Sequence, residues 1–374
     1  MKAPFIANPP TPTAPGRRRQ CRIGLPSAGG WLVSAALLGL LPGCRTAPTG
    51  GSASLGPQTQ ERLVWPAPPA PARIAYVQSI HTPADLQFRV SAWKRFAGWL
   101  TGRRPAHAGL VKPFAVAVDE AGNLCVTDTG LGALWFFDFA HRKFQCWRRL
   151  GSLALVQPVG VARRHGRFYL ADSALNRVLI FRDPRRLERQ ILLPEGRPAG
   201  LAVGAAHLYV SDAKSHRIGV YDLDGNFQRW IGRRGVGPGE FNFPTHLSVD
   251  AKERLYVTDS LNARIQVFNP DGTLLSLFGQ AGDTSGHFGR PKAAAADREG
   301  HVYVTDALFD NFQVFDLQGR FLLHVGESGG GPGQFWLPAG IAIDTNDRLF
   351  IADSYNHRVQ IFDYLGDQPS EPTP

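Results

Sequence analysis

Residues 353–362 read DSYNHRVQIF, and residues 259–268 read DSLNARIQVF. In both stretches, an aspartate that closes one apolar run is followed by a short polar turn and a second apolar run. An aspartate in this setting occurs six times, at successive spacings of 44, 40, 47, 47 and 47 residues. The six residues are Asp128, Asp172, Asp212, Asp259, Asp306 and Asp353. A self-similar period of this length indicates an internal structural repeat.

Each repeat unit contains up to four short apolar runs separated by turn residues. The first run opens with proline, as in PAGIAID from residue 338, and the second ends at the aspartate. The third follows the turn, as in RVQIF from residue 358, and a fourth closes most units, as in FLLHVG from residue 321. Four short strands per unit are typical of a propeller blade. The sequence therefore predicts an all-β fold, a six-bladed β-propeller of four-stranded antiparallel blades over residues 73–365.

A more specific motif runs through these units. The pattern D-[ST]-x-N-x-R is complete at residues 353–358 and 259–264, and the linkers GVGPGEFNFP and GGGPGQFWLP stand at residues 235–244 and 329–338. These features resemble the NHL repeat, and the resemblance covers about 290 residues of the chain. It implies a propeller fold and leaves the function open, because one fold of this kind hosts many activities.

The ring needs a strand from outside the six units. The last unit ends at Asp363, and the tail at 366–374 contains no apolar run. Residues 73–80, RIAYVQSI, belong to no unit, and pairing this N-terminal strand with the last blade would close the ring without a free sheet edge. Residues 83–110 form an insertion, in which the stretch 91–105 predicts a short helix packed on the propeller or, alternatively, a segment that touches a lipid surface.

The N-terminal region has the order of a secretory leader. A basic cluster and an apolar run of 11 residues precede the ending LPGC at residues 41–44. That run is too short to span a bilayer as a helix. The ending resembles the lipobox of bacterial lipoproteins, which implies a signal peptide at residues 1–43 and a lipidated Cys44; the alternative is an ordinary cleaved signal with a chance cysteine. Because residues 44–72 are rich in proline, they predict a tether. We expect a chain anchored to a membrane on the periplasmic side of a bacterial envelope.

Charge and cysteine content narrow the function classes. The formal charge of +10 includes five basic residues before Cys44, and without them 36 basic residues stand against 31 acidic ones, or +5. This mild excess argues against a nucleic-acid partner.

Of the four cysteines, Cys125 and Cys146 fall on the second and fourth strands of one predicted blade, with a strand between them. We expect both to be buried thiols, because two strand spacings exceed the reach of a disulfide.

The repeated aspartates invite a catalytic or metal-binding interpretation, but a structural role explains their recurrence better. Four of them have an arginine five residues later, namely Arg177, Arg217, Arg264 and Arg358, whereas the first and fifth units carry Ala133 and Asn311 there. A six-fold recurrence fits pairing across each turn, because catalysis needs one asymmetric site. We therefore expect structural ion pairs and no metal or cofactor, since the histidines do not converge as zinc ligands would.

Two residues break the repeat where the first strands begin. His246 stands where the other units carry Ala or Gly, and Lys292 replaces a small or apolar residue. With Arg217 and Arg264, they predict a basic channel mouth on the face that carries the turns between second and third strands. The leading hypothesis is a non-enzymatic module that binds a protein, peptide or polysaccharide. The alternative is a hydrolase or lyase with its active site near His246, since NHL-like propellers include such enzymes.

Overall fold

A computed structural model of the chain describes residues 62–88 and 109–366. The predicted signal peptide, Cys44, most of the predicted tether, the segment 91–105 and nearly all of the tail lie outside the described residues. Within the two described ranges, no helix combines the length and the apolar character that a membrane crossing requires.

The chain enters the fold through two strands and a short helix, and then forms the blades in order. The entry elements are β1 (Val64–Trp65), β2 (Ile74–Ile80) and a 3-10 helix (Pro83–Leu86). Blade 1 contains β3 (Pro113–Val118), β4 (Leu124–Asp128), β5 (Ala133–Asp138) and β6 (Lys143–Trp147). A small hairpin follows, with β7 (Arg149–Leu150) and β8 (Leu153–Ala154). Blade 2 contains β9 (Pro158–Arg164), β10 (Arg167–Asp172), β11 (Arg177–Asp183) and β12 (Arg186–Leu192).

The other four blades continue the same pattern. Blade 3 contains β13 (Pro198–Val203), β14 (His207–Asp212), β15 (Arg217–Asp222) and β16 (Phe227–Ile231). Blade 4 contains β17 (Pro244–Val249), β18 (Leu255–Asp259), a 3-10 turn (Ser260–Asn262), β19 (Arg264–Phe268) and β20 (Leu274–Phe278). Blade 5 contains β21 (Pro291–Ala296), β22 (Val302–Asp306), β23 (Asn311–Phe315) and β24 (Phe321–Val325). Blade 6 contains β25 (Pro338–Ile343), β26 (Arg348–Asp353) and β27 (Arg358–Tyr364).

The blades form a closed ring around their first strands. Each first strand contacts the first strands of both neighbouring blades, and the sheet order within every blade runs outward from it. The second strands are almost fully buried because they lie between two paired strands and two neighbouring sheets. The predicted six-bladed, four-stranded antiparallel propeller is therefore confirmed.

The N-terminal strand closes the ring as predicted. β2 pairs antiparallel with β27, with Ile74 opposite Tyr364 and Ile80 opposite Val359. Both isoleucines are buried in the core. β1 adds a fifth strand to blade 6, where Trp65 packs against Phe362 with ring centroids 5.8 Å apart. The predicted tether at residues 44–72 therefore extends too far, because residues 62–72 belong to the folded domain.

The Gly-rich linkers are packing elements. In the linkers before blades 4, 5 and 6, a phenylalanine is completely buried, and these residues are Phe241, Phe288 and Phe335. Gly326 shows why glycine precedes such a ring: its φ is 98°, and an added Cβ would lie 2.6 Å from the Phe335 ring. The linkers thus seal the gaps between neighbouring sheets.

The two cysteines of blade 1 are free thiols. Cys125 on β4 is buried, and Cys146 on β6 is half-buried, so the expectation of two buried thiols holds fully only for Cys125. Burial raises the pKa of Cys125 well above its usual range, and burial, followed by the nearby charge of Asp128, raises the pKa of Cys146 to about 12. Both thiols are therefore protonated and unreactive near neutral pH.

The two ends of the propeller differ in their loops. The end that we call the 1–2 face carries the turns between first and second strands, at residues 119–123, 165–166, 204–206, 250–254, 297–301 and 344–347. The opposite end, the 2–3 face, carries the linkers between blades and the turns between second and third strands, at residues 129–132, 173–176, 213–216, 260–263, 307–310 and 354–357.

Candidate functional site

Two cavities lie along the propeller axis, and His246 lines both. The larger cavity has a volume of about 430 Å³ and is lined by the ends of all six first strands and by turn residues of blades 1, 4, 5 and 6 on the 1–2 face. The smaller cavity has a volume of about 40 Å³ and lies toward the 2–3 face, with Lys292 in its wall. We call the larger one the axial funnel, because its rim consists of the surface turns and its floor includes His246.

The walls of the funnel are aliphatic. Leu201, Leu247, Val249 and Ile341 are typical of them, and no Phe, Tyr or Trp lines the funnel among the described residues. This apolar lining follows from the first strands, whose alternate residues pack between blades while the others converge on the axis. A partner group in the funnel would therefore meet aliphatic walls and a polar rim, which includes the carboxylates of Asp119, Glu120, Asp250, Glu253, Asp297, Asp344 and Asp347.

The rim departs from the repeat in two blades, and only one of them carries a charged residue there. Counting from the proline that opens each first strand, the seventh residue is Asp119, Arg164, Gly204, Asp250, Asp297 or Asp344 in blades 1 to 6. The four aspartates accept hydrogen bonds from backbone N–H groups of their own turns; Asp344, for example, accepts from the N–H groups of Asn346 and Arg348 at 2.8 and 3.0 Å. The two-residue turn of blade 2 has no carboxylate at this register to accept its backbone N–H groups. The Arg164 side chain therefore does not stabilise its own turn.

Three buried side-chain nitrogens around the funnel have no hydrogen-bond partner among the described residues. They are Arg163 Nε, Arg164 Nε and His246 Nδ1. Arg163 is otherwise engaged, because it forms an ion pair with Asp119 and stacks between two aromatic rings. No ion pair or hydrogen bond holds the Arg164 side chain within the described part of the chain. Buried polar atoms are rarely left unpaired, which makes this concentration at one cavity notable.

His246 occupies a position that carries only Ala or Gly in the other five blades. At the same position in blade 3, a Cβ added to Gly200 would lie 2.3 Å from the carbonyl oxygen of Thr245. His246 instead hydrogen-bonds the backbone of Ala294 in blade 5. Burial lowers the pKa of His246 to about 4, although the hydrogen bond to Ala294 opposes the shift. The imidazole is therefore neutral near pH 7.

The neutral state of His246 predicts a pH-dependent difference between wild type and His246→Ala. The pKa of His246 is lower in the folded protein than its ordinary 6.5, so the unfolded chain binds more protons between these values. The contribution of the imidazole to stability is complete above pH 6.5 and is lost as the pH falls toward 4. We expect wild type to lose roughly 2–3 kcal/mol more than the variant between about pH 7 and pH 4.5 in denaturant unfolding. Equal losses would show that the imidazole is solvated.

Lys292 lies in the small cavity with His246, as their joint departure from the repeat suggested. Burial, followed by the charges of Arg290 and Lys112, lowers the pKa of Lys292 to about 8. These three cations therefore lie close together on the 2–3 face. They do not border the axial funnel.

The other two arginines assigned to the predicted mouth are elsewhere. Arg264 is buried, pairs with Asp259 at 2.8 Å and donates to carbonyl groups of the preceding linker, so it is structural. The guanidinium of Arg217 lies 3.7 Å from the Trp230 ring centroid, away from both cavities. The predicted basic mouth of four residues is thus wrong for Arg217 and Arg264. The main cavity also opens on the opposite face from the one expected.

The repeated aspartates have the structural role expected from their recurrence. Each is buried and accepts a backbone N–H from the linker that leads into its own blade, at distances between 2.6 and 3.2 Å. The expected pairing with arginine forms in blades 4 and 6, where Arg358 lies 2.8 Å from Asp353. It is absent in blade 2, where Arg177 donates to Leu175 and Gln190. It is also absent in blade 3. Within the described ranges, no group of three or more His, Cys, Asp or Glu side chains is placed to hold a metal ion.

Arg164 was missed by the sequence analysis, although the sequence contains its signal. In four blades an aspartate directly follows the first strand, and the second blade carries arginine at that register. His246 and Lys292 lie at the start of their first strands, whereas Arg164 lies at the end of its first strand. That end of the first strands also converges on the axis.

Comparison with known proteins supports the fold. Residues 335–362 match the family model for the NHL repeat, and residues 199–277 match a model described as a 6-bladed beta-propeller. No curated protein sequence matches the chain.

Several solved structures have a similar fold. Virginiamycin B lyase from Staphylococcus aureus is 14% identical over 70% of this chain and 82% of its own, with a TM-score of 0.50. A gluconolactonase from Xanthomonas campestris is 17% identical over 68% of this chain and 86% of its own, with a TM-score of 0.51. A protein of unknown function from Bacteroides thetaiotaomicron is 15% identical over 68% and 70%, with a TM-score of 0.52. At these identities the similarity concerns the fold alone.

Proposed function

Because the chain is a six-bladed β-propeller of NHL-type repeats whose larger axial cavity opens on the 1–2 face, we propose that it is an extracytoplasmic binding protein. In this proposal it is lipid-anchored to a membrane through Cys44, on the periplasmic side of a bacterial envelope. It takes part of a protein, peptide or polysaccharide partner into the axial funnel.

The observation that carries the binding role is the set of three unpartnered nitrogens at the funnel. A partner that places oxygen atoms near Arg164 would satisfy a cation that has no ion pair within the described residues. The volume of about 430 Å³ falls within the range of small-ligand sites and suits one or two residues of a chain end. The rigid first strands position these groups before a partner arrives, which reduces the entropy lost on binding.

The same geometry favours binding over the enzymatic alternative. A hydrolase or lyase at His246 would need a base with a pKa near the working pH, but burial lowers this pKa to about 4. Among the described residues, the imidazole is oriented by a hydrogen bond that it donates to the backbone of Ala294, and the rim aspartates already accept N–H groups of their turns. His246 is therefore better suited to accept a hydrogen bond at the funnel floor than to move a proton.

Site-specific photocrosslinking in cells that express the full chain tests this proposal. A benzophenone amino acid at Thr345, an exposed residue of the funnel rim, is expected to form partner adducts. The same group at Val236, which is 74% exposed on the 2–3 face, is the matched control and is expected to form none of these adducts. Filling the funnel with Ala342→Trp should remove the adducts at Thr345, because Ala342 lines the cavity.

The anchor is tested in the same cells. Cys44→Ser is expected to move the protein from the membrane fraction to the soluble periplasmic fraction, since a lipid-modified N-terminus supplies the membrane affinity. In the crosslinking experiment, adducts that form only at Val236 would show that the partner binds the 2–3 face and not the axial funnel. A Cys44→Ser chain that stays in the membrane and is processed at the same site would refute the lipid anchor.

A further inference from the structure

We infer that the 2–3 face docks on an anionic lipid surface, with the sector formed by blades 5, 6 and 1 as its contact. The inference rests on the proposed membrane location, and it assigns the orientation that the anchor alone leaves open. In this orientation the axial funnel points away from the membrane, toward a partner.

Exposed apolar side chains are distributed unequally between the two faces. The linkers and turns of the 2–3 face carry several large ones, with exposed fractions between 41% and 74%, namely Val156, Val236, Leu261, Leu308, Trp336 and Tyr355. No large apolar side chain is exposed in the described turns between first and second strands on the 1–2 face. Soluble surfaces seldom concentrate exposed apolar groups at one end unless that end contacts a partner or a membrane.

An aromatic pair with a cation marks the centre of this sector. Trp336 and Tyr355 contact each other with ring centroids 5.6 Å apart, and both are exposed. The Lys112 ammonium lies 4.7 Å from the Tyr355 ring centroid and 3.3 Å from the Tyr355 hydroxyl oxygen. Tryptophan and tyrosine favour the headgroup region of a bilayer, because each combines an apolar ring with a hydrogen-bonding group.

The charges beside this pair match an anionic surface. Lys112 contacts Tyr355 at the entry to blade 1, and Arg290 and Lys292 flank Pro291 at the entry to blade 5. The charges of Lys112 and Arg290 lower the pKa of Lys292. Such a cluster of like charges is stabilised by phosphate groups. Three carboxylates in the linkers and turns of the sector are not fully buried. Asp310 accepts from Leu337 and Ser328, and Glu327 accepts from Gln334, while Asp283 lies in the linker into blade 5. A cationic, apolar and aromatic surface fits anionic headgroups better than neutral ones.

Vesicle co-sedimentation of the full chain carrying Cys44→Ser tests the inference without the anchor. The probes are vesicles of phosphatidylcholine alone and vesicles containing about one-third phosphatidylglycerol. We expect binding to the anionic vesicles, weakened by salt, and at least tenfold weaker binding to the neutral ones. The charge reversal Lys112→Glu with Arg290→Glu should weaken anionic binding by more than about 25-fold, because each cation near such a surface contributes about fivefold and each introduced glutamate adds repulsion.

The matched control reverses two exposed cations at the other end. Arg185→Glu with Arg320→Glu changes the net charge equally on turns of the side that carries the 1–2 face, and it should weaken binding by less than about fivefold. Trp336→Ala should also weaken binding, and circular dichroism should show that all variants remain folded. Equal effects of the two charge reversals, or binding that ignores lipid charge, would overturn the docking surface. A chain that self-associates through Trp336 and ignores vesicles would also overturn it. Photocrosslinking at Thr345 does not depend on vesicle binding. The two experiments therefore test the axial funnel and the docking surface separately.

Discussion

Deletion of residues 74–80 is expected to leave the propeller open and the chain unfolded at room temperature. The deletion removes β2, exposes the edge of β27 and takes Ile74 and Ile80 out of the core, where they are 1% and 0% exposed. Each buried isoleucine contributes about 2–5 kcal/mol, and a domain of ordinary stability has only about 5–15 kcal/mol in total. Far-ultraviolet circular dichroism and thermal unfolding measure the loss.

The control deletion removes residues 45–59, which precede the described part of the chain. Its melting temperature is expected to match that of wild type, because it leaves every contact of β1 and β2 in place. A synthetic peptide of residues 62–80 should restore the fold of the first deletion variant, since it can pair with the exposed edge of β27. A cooperative transition at the wild-type temperature without β2 would show that the ring closes by another route.

Arg264→Met is expected to destabilise the protein by about 3–5 kcal/mol, because it leaves a buried carboxylate without its countercharge. Asp259 is 0% exposed, and Arg264 both pairs with it and donates to the carbonyl groups of Gly237 and Glu240. One substitution therefore removes an ion pair and the support of the linker into blade 4. Urea unfolding at neutral pH measures the change in the free energy of unfolding.

Arg177→Met is the matched control at the same repeat position of blade 2. Arg177 does not pair with Asp172, and its partners are the Leu175 carbonyl and the exposed side chain of Gln190. Its replacement is expected to cost less than about 1 kcal/mol. If both variants lose the same free energy of unfolding, the ion pair between Arg264 and Asp259 makes no measurable contribution to stability.

The sequence pattern repeated in each unit was sufficient to predict the six-bladed propeller. The opening prolines, the buried second strands and the aspartate before each turn recur in every unit, so the positions of the strands could be read without knowledge of the ring. The closure by β2 followed from one missing strand and one unassigned apolar run. The extra strand β1 was not predicted, because two residues within a proline-rich segment carry no periodic signal.

The candidate site was only partly predictable. Departure from the repeat identified His246 and Lys292, and the structure places both in the small axial cavity. The same comparison did not distinguish Arg264, which pairs with Asp259, from Arg217, which stacks on Trp230. Both follow an aspartate at the same spacing, but the linkers that surround them differ.

The sequence by itself therefore determined the number of blades, the strand order and the strand that closes the ring, because these depend on residues close together in the chain or on one repeated register. The tertiary structure alone decided which end of the axis is open and which polar atoms lack partners. Those properties depend on how closely six first strands approach one another, which no single repeat contains. Arg164 and His246 became members of one funnel only when the blades converged.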